Sequence, residues 1–390
     1  MTGVGVPGFA GSHDRVVRIC ESSSAVDDLR ARVLEELQRV VGFDFHVWLL
    51  TDPETSVGTS PLAEVPQLPE LPRLVRLKYL SRLNRWTTLD AVASIRSGRA
   101  AGDDEGEGEG EGWTRHVTNL GVADVASAVF RDGHGCWGWL DLWRSTGRFG
   151  PDELAFLAGV LPAVTAALRR RQARTFLAGP TDRRPPPGPV VLLLSPDLEV
   201  HGVTPQTHSF LATLVPPGPG RATIPASAYN VAAQLWALES EVDLSPAWAR
   251  VHLQHGHWVT LRAARLDGDQ PSVQRDIAVT IEPASGQERL GMFTRAFAFT
   301  PRETELLHHL VVGLDTREIA ARMGPVRPHR PGPSQGDLRQ DDGAEPARAG
   351  RHDPRELSAP PAGPSGGAIT LLGDPQAATG RSIARPAPLA

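Results

Sequence analysis

The sequence predicts an α+β protein with two mixed helix–strand domains, followed by a short all-helical unit and a disordered tail. Three observations support this architecture. Amphipathic helix patterns alternate with short apolar strand patterns as far as about residue 285. A stiff proline-rich segment, "TDRRPPPGP" at 181–189, divides this region in two. Beyond Met323 the helical pattern stops, and proline and glycine make up about a third of residues 324–390, a composition typical of disorder.

The bulk composition narrows the class of protein. The 390 residues carry a formal net charge of −5. That charge gives no overall signature of nucleic-acid binding, so any DNA contact must come from a local patch. Because only Cys20 and Cys136 are present, we expect no disulfide framework and a reducing cytoplasm. The N-terminus lacks a signal-peptide pattern, and no uninterrupted apolar run reaches membrane-spanning length. The sequence therefore predicts a cytoplasmic protein with no membrane partner.

The first domain is predicted over residues 22–176. Ser24 is placed to cap a helix whose apolar residues recur every three or four positions, and Gly42 ends it. "FHVWLL" at 45–50 then predicts a buried strand, and a second helical pattern follows through Leu74, Leu77, Leu80 and Leu83.

An acidic low-complexity stretch interrupts this domain, "GDDEGEGEGEG" at 102–112. Its carboxylates suggest calcium binding as one interpretation. The spacing of an EF-hand is lacking, so a flexible solvated loop is the favoured prediction.

The end of the first domain is a tryptophan-rich strand followed by a helix. "CWGWLDLW" at 136–143 alternates as a strand does, which predicts Trp137, Trp139 and Trp143 on one face. Trp139 and Trp143, together with Trp48, are candidates for a ligand pocket, although aromatic sheet core is the plainer interpretation. Pro151 then begins a helix with acidic residues in its first turn and arginines at its far end.

This succession of a helix, strands, helices, the "WGWLDLW" strand and a closing helix resembles a GAF-type sensor domain. The resemblance covers the architecture and the closing strand and helix, since the class has few invariant residues. It implies a domain that binds a small-molecule signal.

The second domain is predicted over residues 190–285, after a linker at 177–189. "VVLLLSPDLEVHGV" predicts two strands joined by a turn, and a short helix follows. "HWVTLRAARL" and "IAVTIEPAS" predict a further antiparallel pair. This arrangement resembles a reduced PAS-like module. His255 and His257 suggest a metal, but without acidic or cysteine partners nearby a turn is favoured.

A helical unit is predicted over residues 294–323, where the chain reads "FTPRETELLHHLVVGLDTREIAARM" from Phe299. Thr300 and Glu303 form a capping box, and Pro301 occupies a position where its missing N–H costs nothing. Leu306, Leu307, Leu310 and Val311 make a stripe predicted to be buried, and Gly313 ends the helix. Asp315 and Glu318 begin a second helix, with Ile319, Ala320 and Met323 facing inward.

This stretch resembles the C-terminal DNA-binding domain of LuxR/NarL-type transcriptional regulators. The resemblance covers about twenty-five residues, and in it Thr300, Pro301, Glu303, Leu307, Gly313, Glu318, Ile319 and Ala320 would be scaffold. By the same resemblance, Thr316, Arg317 and Arg322 would contact DNA phosphates. Ordinary solvated charge is the alternative interpretation of both arginines.

The family pattern breaks off after Met323, where a third helix should enter the major groove. Prolines at 325, 328, 331 and 333 exclude a helix. A one-base shift of the reading frame explains the break. From His329 the shifted codons permit T-V-Q-D-H-L-K-A-I-F-A-K-T, and the steps at Gln335–Gly336 and Gln340–Asp341 each require lysine or arginine. The alternative hypothesis is a genuine proline-rich tail with its own partner.

These features predict a one-component sensor-regulator that binds DNA, forms a homodimer and responds to an unknown small molecule. With the recognition helix missing, specific DNA binding is expected to be impaired in this translation. The alternative is a sensor that heterodimerises with an intact regulator and does not bind DNA. An enzyme is not expected, because the sequence lacks a Gly-rich phosphate loop, a zinc-ligand cluster and a serine nucleophile elbow. No cofactor or metal is predicted.

Overall fold

The computed structural model describes residues 8–22, 26–96, 111–177, 190–207, 211, 225–253, 257–269, 271 and 274–324. These residues form two compact units, one within residues 1–300 and one that begins at Pro301. Four predicted features lie outside the described residues: the cap at Ser24, most of the acidic loop, nearly all of the linker, and the tail beyond Gly324. His255 also lies outside them.

The first unit is mixed α/β and contains two antiparallel sheets. The first sheet comprises β1 (Phe45–Thr51), β2 (Gly58–Glu64), β3 (Val92–Ser94), β4 (Asp124–Asp132) and β5 (Gly135–Arg144), in the order β2-β1-β5-β4-β3. Its helices are α1 (Phe9–Glu21), α2 (Val26–Val40), α3 (Leu71–Leu80), α4 (Glu111–Asn119) and α5 (Pro151–Arg174).

Both faces of the first sheet are covered by helices. On one face, α1, α2 and α5 pack around a core that includes Leu37, Trp48 and Leu140. On the other face, α3 and α4 enclose a smaller core around Leu74, Trp113 and Trp143. Helix α1 begins before the predicted start of this domain, and its Val16 belongs to the first of these cores.

Helix α5 has 24 residues and is long and apolar enough to cross a membrane by length and composition. It is nevertheless built into the core, since Leu157, Val164 and Leu168 are buried in the cluster that covers the sheet. A fully buried core helix shows the same apolar character.

The alternation of the tryptophans in β5 differs from the prediction. Between Phe130 and Arg131 the register of β4 and β5 shifts, so that Phe130 is opposite Gly138 and Arg131 is opposite Cys136. The extra residue in β5 reverses which face the neighbouring side chains occupy. Trp137 therefore packs in the core with Leu140, and the prediction that it shares a face with Trp139 and Trp143 was wrong.

The second sheet comprises β6 (Val190–Leu194), β7 (Val200–Val203), β8 (Trp248–His252), β9 (Trp258–Arg265) and β10 (Ile277–Pro283), in the order β7-β6-β10-β9-β8. Its helices are α6 (Ala226–Glu239) and α7 (Gly286–Ala296). The antiparallel pairing predicted for β9 and β10 is confirmed. Strand β8 and helix α6 were not predicted.

The two sheets share one topology. Counted within each sheet, the strand order is 2-1-5-4-3, and each neighbouring pair is antiparallel. The first unit is therefore a tandem of two sheets with the same strand order. The helices that accompany the two sheets differ in number and position.

The two sheets are joined by a buried ion pair. Arg250 of β8 donates from Nε to Asp52 Oδ2 at 2.7 Å and from Nη2 to Asp52 Oδ1 at 2.8 Å. Asp52, directly after β1, is 0% exposed. A second buried pair, Arg85 to Asp243 at 2.8 Å, makes a similar link. Fork-to-carboxylate contacts of this kind fix orientation as well as supplying energy, so the two sheets form one body.

The second unit contains two described helices, α8 (Pro301–Val311) and α9 (Thr316–Met323). Gly313 lies between them at φ 85°. Asp315 caps α9 by accepting from Arg317 N–H at 2.8 Å and Glu318 N–H at 2.9 Å, and Glu318 accepts from Asp315 N–H. Arg302 donates to the carbonyls of Met323 and Gly324, which ties the start of α8 to the end of α9.

The apolar stripe predicted to be buried on α8 is largely exposed. Leu306 is 39% exposed, Leu310 is 53% exposed and Val311 is 36% exposed. In the described part of this unit only Ile319 of α9 is buried. Two short helices offer too little surface to bury this stripe, which needs a further helix.

Candidate functional site

A cavity of about 730 Å³ opens between the first sheet and the helices on its α3 side. Strands β1, β2 and β5 form its floor, α3 and Trp113 of α4 form its walls, and α6 of the second sheet contributes Ala226 and Asn230. Its size is typical of pockets that hold small organic molecules. The cavity is thus built from both halves of the first unit.

An ion pair lies at the inner end of the cavity. Lys78 of α3 lies 2.8 Å from Asp141 of β5, measured from Nζ to Oδ2, and their side chains are 5% and 2% exposed. Lys78 is the only lysine of the chain. Asp141 alternates with Trp139 and Trp143 along β5, which places the three side chains on the cavity face of the sheet. Burial at this depth requires the two charges to be paired.

Tryptophan rings surround the ammonium group. Lys78 Nζ lies 5.3 Å from the ring centroid of Trp113 and 5.4 Å from that of Trp139. Trp113 and Trp143 meet edge to face with centroids 5.8 Å apart. Cation–π attraction is strongest when the cation is desolvated, so the rings stabilise the buried charge and line the site at once.

Several buried polar atoms of these residues have no hydrogen-bond partner among the described residues. They are Asp141 Oδ1 and the indole Nε1 atoms of Trp113, Trp139 and Trp143. All four residues line the cavity. Unpaired buried polar atoms are rare in proteins and cost free energy. Each of the four atoms is itself closed to solvent, and Trp48 Nε1 on the opposite face of the sheet is unpaired in the same way, so these atoms do not by themselves mark a ligand site.

Tyr79 connects the cavity to the strand on its floor. Its hydroxyl oxygen accepts from the Gly58 N–H at 2.9 Å, and its ring packs edge to face on Trp86. Burial raises the pKa of Tyr79 far above the usual range, while the bond from Gly58 opposes this shift. The hydroxyl therefore stays protonated and neutral under all ordinary conditions.

Two ionisable side chains, His46 and Glu64, lie at the cavity mouth. His46 is opposite Glu64 in the pairing of β1 with β2, and both line the cavity. Burial lowers the pKa of His46, and the negative charge of Glu64 partly offsets that shift. The net shift favours the neutral form of His46.

Of the residues predicted for a ligand pocket, the structure brings two together. Trp139 and Trp143 line the cavity, but Trp48 does not. Trp48 lies on the opposite face of the sheet and stacks on Phe130 with centroids 5.1 Å apart. This follows from the period of two in β1, because Val47 and Leu49, on either side of Trp48, line the cavity.

Sequence reasoning missed Lys78, Asp141 and Trp113 as members of this site. A signal existed for two of them. Lys78 is the lone lysine in a chain that otherwise uses arginine, and Asp141 interrupts an apolar strand on the same face as two tryptophans. Trp113 follows the acidic loop and carried no such signal.

The residues predicted to contact DNA lie on the second unit. Thr316, Arg317 and Arg322 are exposed on α9. Arg317 is in the first turn of α9, next to the cap at Asp315, and Arg322 is in the last turn. Their exposure leaves both guanidinium groups accessible to solvent. Within the described residues, no group of three or more His, Cys, Asp or Glu side chains is arranged to hold a metal ion.

Comparisons with known proteins return solved structures only. No protein-family model matches the chain, and no curated protein matches it. The chromophore-binding domain of Stigmatella aurantiaca bacteriophytochrome, in the Pr state, is 14% identical, with 43% of this chain and 61% of that chain covered and a TM-score of 0.29. The phycoerythrobilin-bound GAF domain of a cyanobacterial phytochrome is 15% identical, with 43% and 97% covered and a TM-score of 0.29.

Bacteriophytochrome RpBphP3 from R. palustris covers more of the chain, 70%, at 10% identity and a TM-score of 0.27. The chain spans about three fifths of the first of these structures and of RpBphP3. At TM-scores of this size the likenesses add nothing to the topology described above.

Proposed function

We propose that this chain is a one-component sensor-regulator of the LuxR type. The first unit would sense a small molecule, and the second unit would be the scaffold half of a helix-turn-helix DNA-binding domain. The observation that carries the proposal is the run from Phe299 to Met323, in which two helices with the expected capping residues flank a glycine turn.

The sensor part of the proposal is supported by the cavity. A GAF-like first module and a PAS-like second module would together hold the signal, since α6 of the second module contributes to a cavity floored by the first. The ion pairs between Arg250 and Asp52 and between Arg85 and Asp243 tie the modules together. Because α3 and α6 belong to different modules and both line the cavity, a ligand bound between them would contact both modules at once.

We further propose that the reading frame slipped by one base near Gly324–Pro325. The exposed apolar stripe of α8 supports this, because one translation that the shifted frame permits would supply a helix to cover it. As written, the chain keeps the residues proposed to contact phosphates, but the described residues contain no third helix after α9 to read base edges. A cytoplasmic homodimer that binds DNA through the restored helix is the intact form we envisage.

The deciding experiment compares two proteins on the same DNA. The chain as written and a frame-restored version are titrated against the native upstream region by fluorescence anisotropy at fixed salt. We expect specific binding, meaning about a thousandfold preference over random DNA, only for the restored version. Tight specific binding by the chain as written contradicts the proposal, as does an underlying gene in which no one-base correction restores a helical C-terminus.

A second candidate function also follows from the exposed stripe. Leu306, Leu310 and Val312, the last 63% exposed, would suit association with an intact relative that supplies the missing helices. The chain would then act as a sensor that blocks its partner's DNA binding. Co-purification with such a regulator from the native cell, and loss of it on Leu310→Glu, would favour this reading over the first.

A further inference from the structure

The inner end of the cavity has a balance of charge that restricts its ligand. Among the described residues that line it, the only buried side chains of opposite charge are Lys78 and Asp141, whose charged atoms lie 2.8 Å apart. Burial lowers the pKa of His46 at the mouth, which favours its neutral form. Glu64 is exposed there. A charged group of a ligand that entered the inner end would lose its hydration, and it would find no unpaired opposite charge there.

The rest of the wall is apolar. Leu49, Leu62, Leu74 and Val75 line the cavity, and its tryptophan rings offer flat faces. Such a surface favours an apolar or aromatic ligand body, because burying it away from water is where most of the binding energy comes from.

We propose that the cavity binds a neutral, mainly apolar molecule. This deepens the proposed sensor function and rests on it. The Lys78–Asp141 pair selects against both carboxylates and amines, because either one would add an uncompensated charge at the inner end.

The test uses three probes of matched size and opposite charge on the full chain: phenylacetamide, phenylacetate and phenethylammonium. Binding is measured by calorimetry at concentrations up to about 10 mM, the range expected for molecules of about ten heavy atoms. We expect phenylacetamide to bind at least about tenfold more tightly than either ion.

Two substitutions should invert this preference. Asp141→Asn leaves Lys78 without a counter-charge, so phenylacetate should become the tightest probe. Lys78→Met leaves Asp141 alone and should favour phenethylammonium. The double variant Lys78→Met with Asp141→Asn is again neutral at this position and should restore the preference for phenylacetamide. Thermal unfolding establishes that each variant is folded, and the double variant keeps the test decisive if a single one is not.

Asp152→Asn, an exposed carboxylate at the start of α5, is the matched control and should leave the order of the probes unchanged. Tighter binding of either ion to the wild-type chain overturns the proposal, and so does binding of none of the three. Neither outcome touches the DNA titration described above, which decides the regulator function without these probes.

Discussion

Lys78 shows how one buried side chain organises a site. It is the only lysine beside 39 arginines, and its ammonium fits between two indole rings at 5.3 and 5.4 Å while contacting Asp141. The planar guanidinium of arginine is broader than an ammonium group and donates in a fixed fork. A compact point charge with three donors suits this enclosure, which explains why lysine stands at this position.

The pair between Lys78 and Asp141 gives a stability prediction. Lys78→Met leaves a carboxylate buried without its partner, so we expect the free energy of unfolding to fall by about 3–5 kcal/mol. Adding Asp141→Leu removes the stranded charge and should recover most of that loss. Urea denaturation of the two variants and the wild type measures both effects. If the second substitution lowers stability further, the charge pairing is not what holds this region.

A second prediction concerns His252 of β8. Burial, with a smaller contribution from the nearby His257, lowers the pKa of His252 to about 4, below its usual value of 6.5. Below pH 6.5 the unfolded chain therefore takes up a proton that the folded chain does not. The free energy of unfolding consequently decreases as the pH is lowered from about 6.5 to about 4. We expect a loss on the order of 2–3 kcal/mol across this window.

Substituting His252→Gln removes the titrating group and should flatten this part of the pH profile. Urea midpoints at pH 7 and pH 5 for both proteins provide the measurement. An unchanged slope in the His252 variant contradicts the prediction.

At the scale of elements, the turn between β4 and β5 contains two glycines with opposite requirements. Gly135 has φ 144°, and an added Cβ would lie 2.3 Å from the carbonyl oxygen of Pro53. Gly133 has open space around the same position. The close approach between Gly135 and Pro53 brings the β4–β5 turn against the residue that follows Asp52, which contacts Arg250.

We therefore expect Gly135→Ala to destabilise the first unit by about 2–4 kcal/mol, because backbone atoms rather than a flexible side chain must move. Gly133→Ala, two residues away, should change stability by less than about 0.5 kcal/mol. Thermal unfolding of both variants gives the comparison. Equal effects would mean that the turn has another conformation in solution.

Amphipathic elements were predictable from the sequence, and uniformly buried ones were not. Helix α2 shows its stripe at Leu29, Val33 and Leu37, all of them buried, and the 3.6-residue period reveals it. Helix α6 has no stripe, because it packs against α3 and β2 on one side and against β9 and β10 on the other. A helix buried on all sides loses its periodic signal.

The candidate site was only partly predictable for a related reason. Trp139 and Trp143 stood out in one strand, but their partners come from elements far away in sequence, namely Lys78 on α3 and Trp113 on α4. Period-two alternation also predicted the wrong face for Trp137, because the register shift depends on how β5 pairs with β4 and cannot be seen in the sequence of β5 alone. Local sequence patterns predict which side chains share a face of a strand or helix, whereas tertiary packing determines which of these faces contact one another.

On the scale of the whole molecule, the first unit contains two sheets that repeat the strand order 2-1-5-4-3. Each sheet uses its helices differently, yet both contribute to one cavity, since α6 of the second sheet reaches the floor built by the first. Among the described residues, the three apolar cores of this unit contain no residue beyond Ala296. The stability of the sensor unit is therefore expected not to depend on the C-terminal residues.

The last prediction follows from that independence. A chain ending at Thr300 should unfold at the same urea concentration as the full chain, because its cores are complete. The full chain should in addition bind a hydrophobic dye and self-associate, since Leu306, Leu310 and Val312 on and beyond α8 are 39%, 53% and 63% exposed. Leu310→Glu with Val312→Glu in the full chain should abolish both effects without altering unfolding. Analytical ultracentrifugation and dye fluorescence measure them, and a lower unfolding midpoint for the shortened chain would show that the C-terminal unit supports the sensor after all.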